Sequence, residues 1–135
     1  MSLAYEITAL GDHVRIVGTG RITTKDCIGV VEHVLHDPRC RPDSTALVDL
    51  RDATYDPSEQ AEIIDIAKAM ESFPTMLKNN IAIVAKQSTI FLAEILSTYL
   101  RQVANIGIRV FVDITAAEAF CRGRLAGVLQ PAMKE

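Results

Sequence analysis

The chain has little that would tie it to a metal, a membrane or a nucleic acid. Its three cysteines, Cys27, Cys40 and Cys121, are odd in number and far apart, and none has Cys-x-x-Cys spacing. That argues against a disulfide framework and against a zinc ribbon, and fits a reducing compartment. No apolar run approaches the roughly 18 residues of a membrane-spanning helix, and the chain opens on a strand pattern where a secretory signal would be basic and then apolar. Basic residues are scattered singly, and a formal charge of -3 with an isoelectric point near 5.6 offers no general attraction to a phosphate backbone. The expectation is a cytoplasmic protein that does not bind nucleic acid and does not span a membrane.

Signatures of catalysis are missing too. Gly18-Thr19-Gly20 followed by Lys25 has neither the spacing nor the loop length of a phosphate cradle. No Gly-x-Ser-x-Gly elbow is present, and no serine or cysteine has a base placed nearby in sequence. His33 and His36 stand three apart, close to Asp37 and Cys40, but they read as polar groups in a last helical turn and lack a distant third ligand. His13 falls in a hairpin turn and carries no signal. The acidic pair and the Lys-Pro of a phosphorelay receiver are absent. No catalytic residue, metal or cofactor is therefore expected, and the chain is not expected to be an enzyme.

What is present suits one domain. The 135 residues are 49% apolar and 23% charged, ordinary for a globular protein with its own core. Tyr5, Ile7 and Ala9 alternate with polar neighbours, Gly11-Asp12 supplies a turn, and Val14 and Ile16 resume the alternation, which is a β-hairpin closed by Gly18 and Gly20. Thr23 with Asp26 caps a helix whose stripe is Cys27, Val30, Val31, Val34 and Leu35, ending before Asp37-Pro38. Ala46 to Leu50 and Ile81 to Ala85 are short continuous apolar runs, the pattern of strands covered on both faces. Between them Asp56-Pro57-Ser58-Glu59 reads as a helix start, with Ile63, Ile64, Ala67 and Met70 as the buried face of a helix ending near Pro74. A long helix from about Ser88 to Ala104 ends at Gly107. The strand Ile108 to Val112 leads to a second capping box, Thr115-Ala116-Ala117-Glu118, and a last helix through Phe120.

The order is β-β-α-β-α-β-α-β-α, an α/β fold with a single mixed β-sheet: the crossovers make the later strands parallel and the hairpin adds an antiparallel strand at one edge. Residues 1–123 are expected to form the domain and 124–135 a C-terminal tail, loosely ordered. Ligands of open α/β sheets sit outside the carboxyl ends of the strands. The polar groups expected there are Arg51, Asp52, Thr54, Asp56 and Ser58, then Lys86 to Thr89, then Asp113.

Three segments carry a family resemblance: Val14 to Thr23, Ala46 to Thr54, and Ile108 to Asp113 followed by Glu118-Ala119-Phe120. Residues 4–122 resemble the STAS domain, in particular its SpoIIAA-like branch of small stand-alone, anti-sigma factor antagonist-like proteins. The resemblance implies a non-catalytic regulatory or protein-interaction module of a bacterial cytoplasm. It also implies a phosphoacceptor or interaction loop after the central strand, which falls on Thr54, Asp56, Ser58 and Glu59. Pro57 and Glu59 flank Ser58 where the antagonists carry a glycine, and the alternative is a plain helix cap.

The same branch is similar in layout to the CRAL-TRIO lipid-binding fold. This implies a second possibility, a small-molecule or lipid-binding protein with a pocket between the 88–104 helix and the sheet. Phe91, Leu92, Ile95, Leu96, Tyr99 and Leu100 would supply that pocket, a homodimer face, or ordinary core packing. The partner is thus either an unidentified protein or a small apolar ligand.

Overall fold

A computed structural model describes residues 3–55, 63–71 and 80–129. Strands β1 (Leu3–Ile7) and β2 (His13–Ile22) form the opening hairpin, and helix α1 (Thr24–Leu35) crosses to β3 (Thr45–Tyr55). Helix α2 (Ile63–Met70), β4 (Ile81–Val84), α3 (Ile90–Ala104), β5 (Ile108–Phe111) and α4 (Ile114–Leu129) complete the order read from the sequence.

The five strands lie in the order β1-β2-β3-β4-β5, antiparallel between β1 and β2 and parallel thereafter. Right-handed crossovers taken always in one direction place their helices on one face. Accordingly Val30, Val31 and Val34 of α1, Met70 of α2 and Leu100 of α3 share one core with Val14, Ile16, Ala46, Ile81, Ile83 and Ile108. Period-two alternation turns Leu47, Ala82 and Val84 to the other face, where Ala117 and Cys121 of α4 meet them.

Local chemistry explains the boundaries. Thr23 Oγ1 accepts from the Asp26 amide and Asp26 Oδ2 from the Thr23 amide, both at 3.1 Å, the reciprocal cap read from the sequence. Several boundaries differ from the sequence reading, among them the end of β3, which runs past Leu50 to Tyr55 and takes in Thr54. The glycines do not close β2, which runs through both to Ile22. Gly18 admits Leu50 and Leu3 so closely that a Cβ would stand 2.9 Å and 3.0 Å from them, and Gly20 takes a φ of +66°. Asn105, left-handed at φ 56°, ends α3 two residues before Gly107. Asp113 rather than Thr115 caps α4, since its Oδ1 accepts from the Thr115 amide at 2.9 Å, which leaves Glu118 free to reach across the sheet. The last helix also continues beyond Phe120 to Leu129.

Candidate functional site

At the carboxyl end, β4 pairs with Ala46–Asp49 of β3 and β1 with Val14–Gly18 of β2. Beyond them the pairing of Thr19–Ile22 with Asp52–Tyr55 runs on as a two-stranded parallel ribbon, after a register shift between Val17 and Thr19. Ile22 and Ala53 are buried beneath it, while Thr19, Arg21, Asp52 and Thr54 are exposed above. At its base Asp49 takes both Nε and a terminal nitrogen of Arg51, at 2.9 and 2.8 Å. Those hydrogen bonds hold the Asp49 carboxyl below the usual carboxylate range although only 8% of the residue is exposed.

Of the interaction loop expected from the sequence, Thr54 stands exposed at the ribbon's tip, paired in register with Arg21. Asp56, Ser58 and Glu59 lie outside the described residues. Of the other expected rim groups, the Thr89 amide donates to the Lys86 carbonyl before α3 and Asp113 caps α4, while Gln87 and Ser88 are exposed.

The broad apolar face expected of α3 is divided by the structure. Leu96 and Leu100 point inward and line a cavity of about 110 Å³ between the helices and the sheet. Its lining is wholly apolar, with Ile16, Val31, Ala46 and Met70 among the residues. Phe91 and Ile95 face outward, 57% and 40% exposed, over a shallow groove shared with Tyr99, Glu94 and Gln102. The side chain of Leu92 is outside the described residues. The register of a 3.6-residue helix separates Leu96 and Leu100 from Phe91 and Ile95, so one side makes core and the other meets solvent.

A polar cluster that the sequence reading did not find, having set aside only His13 of its members, lies at the opposite, amino end of the sheet. His13 Nδ1 and Thr45 Oγ1, on the paired first residues of β2 and β3, are 2.6 Å apart. Arg15 donates to Glu118 of α4 at 3.0 Å, and the Cys121 thiol reaches the Ala46 carbonyl at 3.8 Å. Burial pushes the Cys121 thiol up to about 11, so it is a neutral hydrogen-bond donor at pH 7 and not a thiolate nucleophile. Burial, seconded by Arg15, depresses His13. The one local signal was alternation, since His13 and Arg15 must face away from Val14 and Ile16. The partners on α4 are about a hundred residues distant, a separation of 103 for Arg15 and Glu118.

His33 on α1 and His36 at its C-terminal cap are exposed, with His36 Nδ1 2.9 Å from the Glu32 carbonyl. Among the described residues no three His, Cys, Asp or Glu side chains converge as a metal would require, and no helix is long and apolar enough to cross a membrane.

No family model and no curated protein matches the chain. Among solved structures it is similar to an uncharacterized protein of the DUF3478 family with a SpoIIAA-like fold, from Shewanella loihica PV-4. The likeness has a TM-score of 0.57 at 14% identity and covers 89% of this chain and 94% of that one. The chain therefore has a SpoIIAA-like fold, as the three sequence segments implied, and the likeness is one of fold alone.

Proposed function

We propose that this chain is a non-catalytic regulatory module that works by binding another protein at the carboxyl-end ribbon. The observation that carries the reading is the extension of β2 and β3 beyond their neighbours, which carries Asp52 and Thr54 past the end of the other strands on a backbone held by pairing and by the Asp49–Arg51 clamp. A surface so placed can be read by a partner without rearrangement of the core, and loops held on a rigid scaffold are where recognition concentrates. The sequence that continues from it, Asp56 to Glu59, supplies the remainder of the interaction loop, with Ser58 as the phosphoacceptor. A photo-crosslinking residue placed at Thr54, in the protein's own cells, is expected to capture one discrete protein. The same probe at exposed Glu71 is expected not to capture it, and Ser58→Asp is expected to change the yield from Thr54. Equal, diffuse capture from both positions would refute the reading.

A second reading rests on the cavity beneath α3. Protein interiors hold few voids larger than a water molecule, and an apolar void stays dry and accepts apolar guests. The 110 Å³ space accordingly suits a small apolar molecule or the end of an acyl chain. Benzene as a probe is expected to raise the melting temperature of the wild type and not that of Ala46→Ile, which fills the space. An identical response in both proteins would refute it.

A further inference from the structure

The groove at the amino end of the sheet, about 350 Å³ in volume, goes beyond the proposed function, since it lies at the edge opposite the ribbon and on the face away from α1, α2 and α3. Its size is at the lower end of small-molecule sites. Its floor is built rather than incidental. Thr45 is 1% exposed on the central strand, on the face where Leu47, Ala82 and Val84 are apolar. Burying a hydroxyl there costs free energy unless it is hydrogen-bonded. His13 satisfies it at 2.6 Å, and the depressed imidazole stays neutral at pH 7, a polar group and not a third cation.

The walls carry both signs. Arg15 and Arg122 are the cations, and Asp12 and Glu118 the anions. Arg15 meets Glu118 through one nitrogen and one oxygen, so the guanidinium retains further N–H donors and the carboxylate its second oxygen. Asp12 accepts from Thr8 through Oδ1 at 2.7 Å, a bond that does not use its other oxygen. A simple anion would gain from the arginines and be repelled by the carboxylates, and a simple cation would meet the reverse. A molecule bearing both charges satisfies all four groups.

We propose that this groove binds a small zwitterion of the α-amino acid class, its carboxylate on Arg15 and Arg122, its ammonium on Asp12 and Glu118, over the His13–Thr45 floor. Amide chemical shifts of the labelled protein, titrated with glycine and a panel of common amino acids beside acetate and methylammonium, test it. At least one amino acid is expected to give saturable shifts confined to Thr8, Asp12, His13, Thr45, Glu118 and Arg122, with acetate and methylammonium giving none at the same concentration. Arg122→Gln and Asp12→Asn, both surface changes that leave the core intact, are each expected to weaken that binding by about tenfold or more. Saturation by acetate alone would make this an anion site and overturn the proposal. So would the absence of saturable shifts from every amino acid up to its solubility limit, or full binding by both variants.

Discussion

Ala46 offers the sharpest test of the packing. It is 6% exposed on the central strand, paired with Val14 on one side and Ile81 on the other, and its methyl faces the apolar cavity. Empty space of this kind costs about 24 cal/mol per Å³, so a void of about 110 Å³ represents about 2.6 kcal/mol of unrealised packing. Ala46→Val adds two carbons, at about 0.8 kcal/mol each when buried, or about 1.6 kcal/mol, within that ceiling. The strand position favours a β-branched residue, so no propensity cost opposes the gain. For a chain of this size each kcal/mol moves the melting temperature by roughly 3–4 °C, so a rise of about 5 °C is expected in a thermal melt followed by far-ultraviolet circular dichroism. The urea m-value should stay unchanged, because the surface exposed on unfolding hardly alters. A fall in melting temperature would mean that the site is already full, since overpacking costs about 1–3 kcal/mol, and would refute both the cavity and the apolar-guest reading built on it.

Three further outcomes follow from the contacts. Thr23→Ala removes one half of a reciprocal cap whose two bonds are both 3.1 Å, and is expected to cost about 1 kcal/mol in urea denaturation. Glu118→Gln breaks a pair in which each side chain is 37% exposed; solvent screens it, so a loss below about 1 kcal/mol is expected, shrinking further in high salt. His13 supplies a pH dependence. Burial first and Arg15 second depress it, against the raising influence of Asp12 and Glu118, so the unfolded chain takes up the proton before the folded one as pH falls. Stability is therefore full above the ordinary imidazole value of about 6.5 and is lost below it, by at most about 1.4 kcal/mol per pH unit. Melts between about pH 7.5 and 5 are expected to show this slope in the wild type and a flatter one in His13→Asn.

Element order was legible because each element declares itself within a few residues. Val30, Val31 and Val34 recur at helical spacing, Thr23 and Asp26 cap one another three apart, and Ile81 to Val84 form an unbroken apolar run. Boundaries were less legible wherever two local signals competed. Gly107 is the better helix stopper by composition, yet Asn105 already takes the left-handed turn. Gly18 and Gly20 look like terminators, yet β2 runs on through both, with a register shift at Gly18. The inward and outward sides of α3 could not be told apart from composition, since Phe91 and Ile95 are as apolar as Leu96 and Leu100. Only the position of the sheet decides which pair is core. The amino-end groove was illegible for a plainer reason: Arg15 and Glu118 meet only after the whole sheet has been assembled between them.

That groove is also a consequence of how little a single helix can cover. Adjacent strands are about 4.8 Å apart, so the outer strands of a five-stranded sheet are separated by about 19 Å, while a helix with its side chains is about 10 Å across. The sequential strand order sends α1, α2 and α3 to one face, which they share among them. The other face receives α4, packed over β3, β4 and β5. Among the described residues a strip of β1 and β2 beside it meets solvent: Glu6, Arg15 and Thr19 point outward there, together with Val17 at 39% exposure, where Val14 and Ile16 point in. Where the strip meets the flank of α4, side chains from both must accommodate one another at half-burial, and the solution adopted is charge pairing and hydrogen bonding in place of apolar contact. A hydrophobic seam would have fastened α4 more tightly. Paired charges fasten it less tightly and leave donors and acceptors facing outward, which is the condition for a ligand to compete with them.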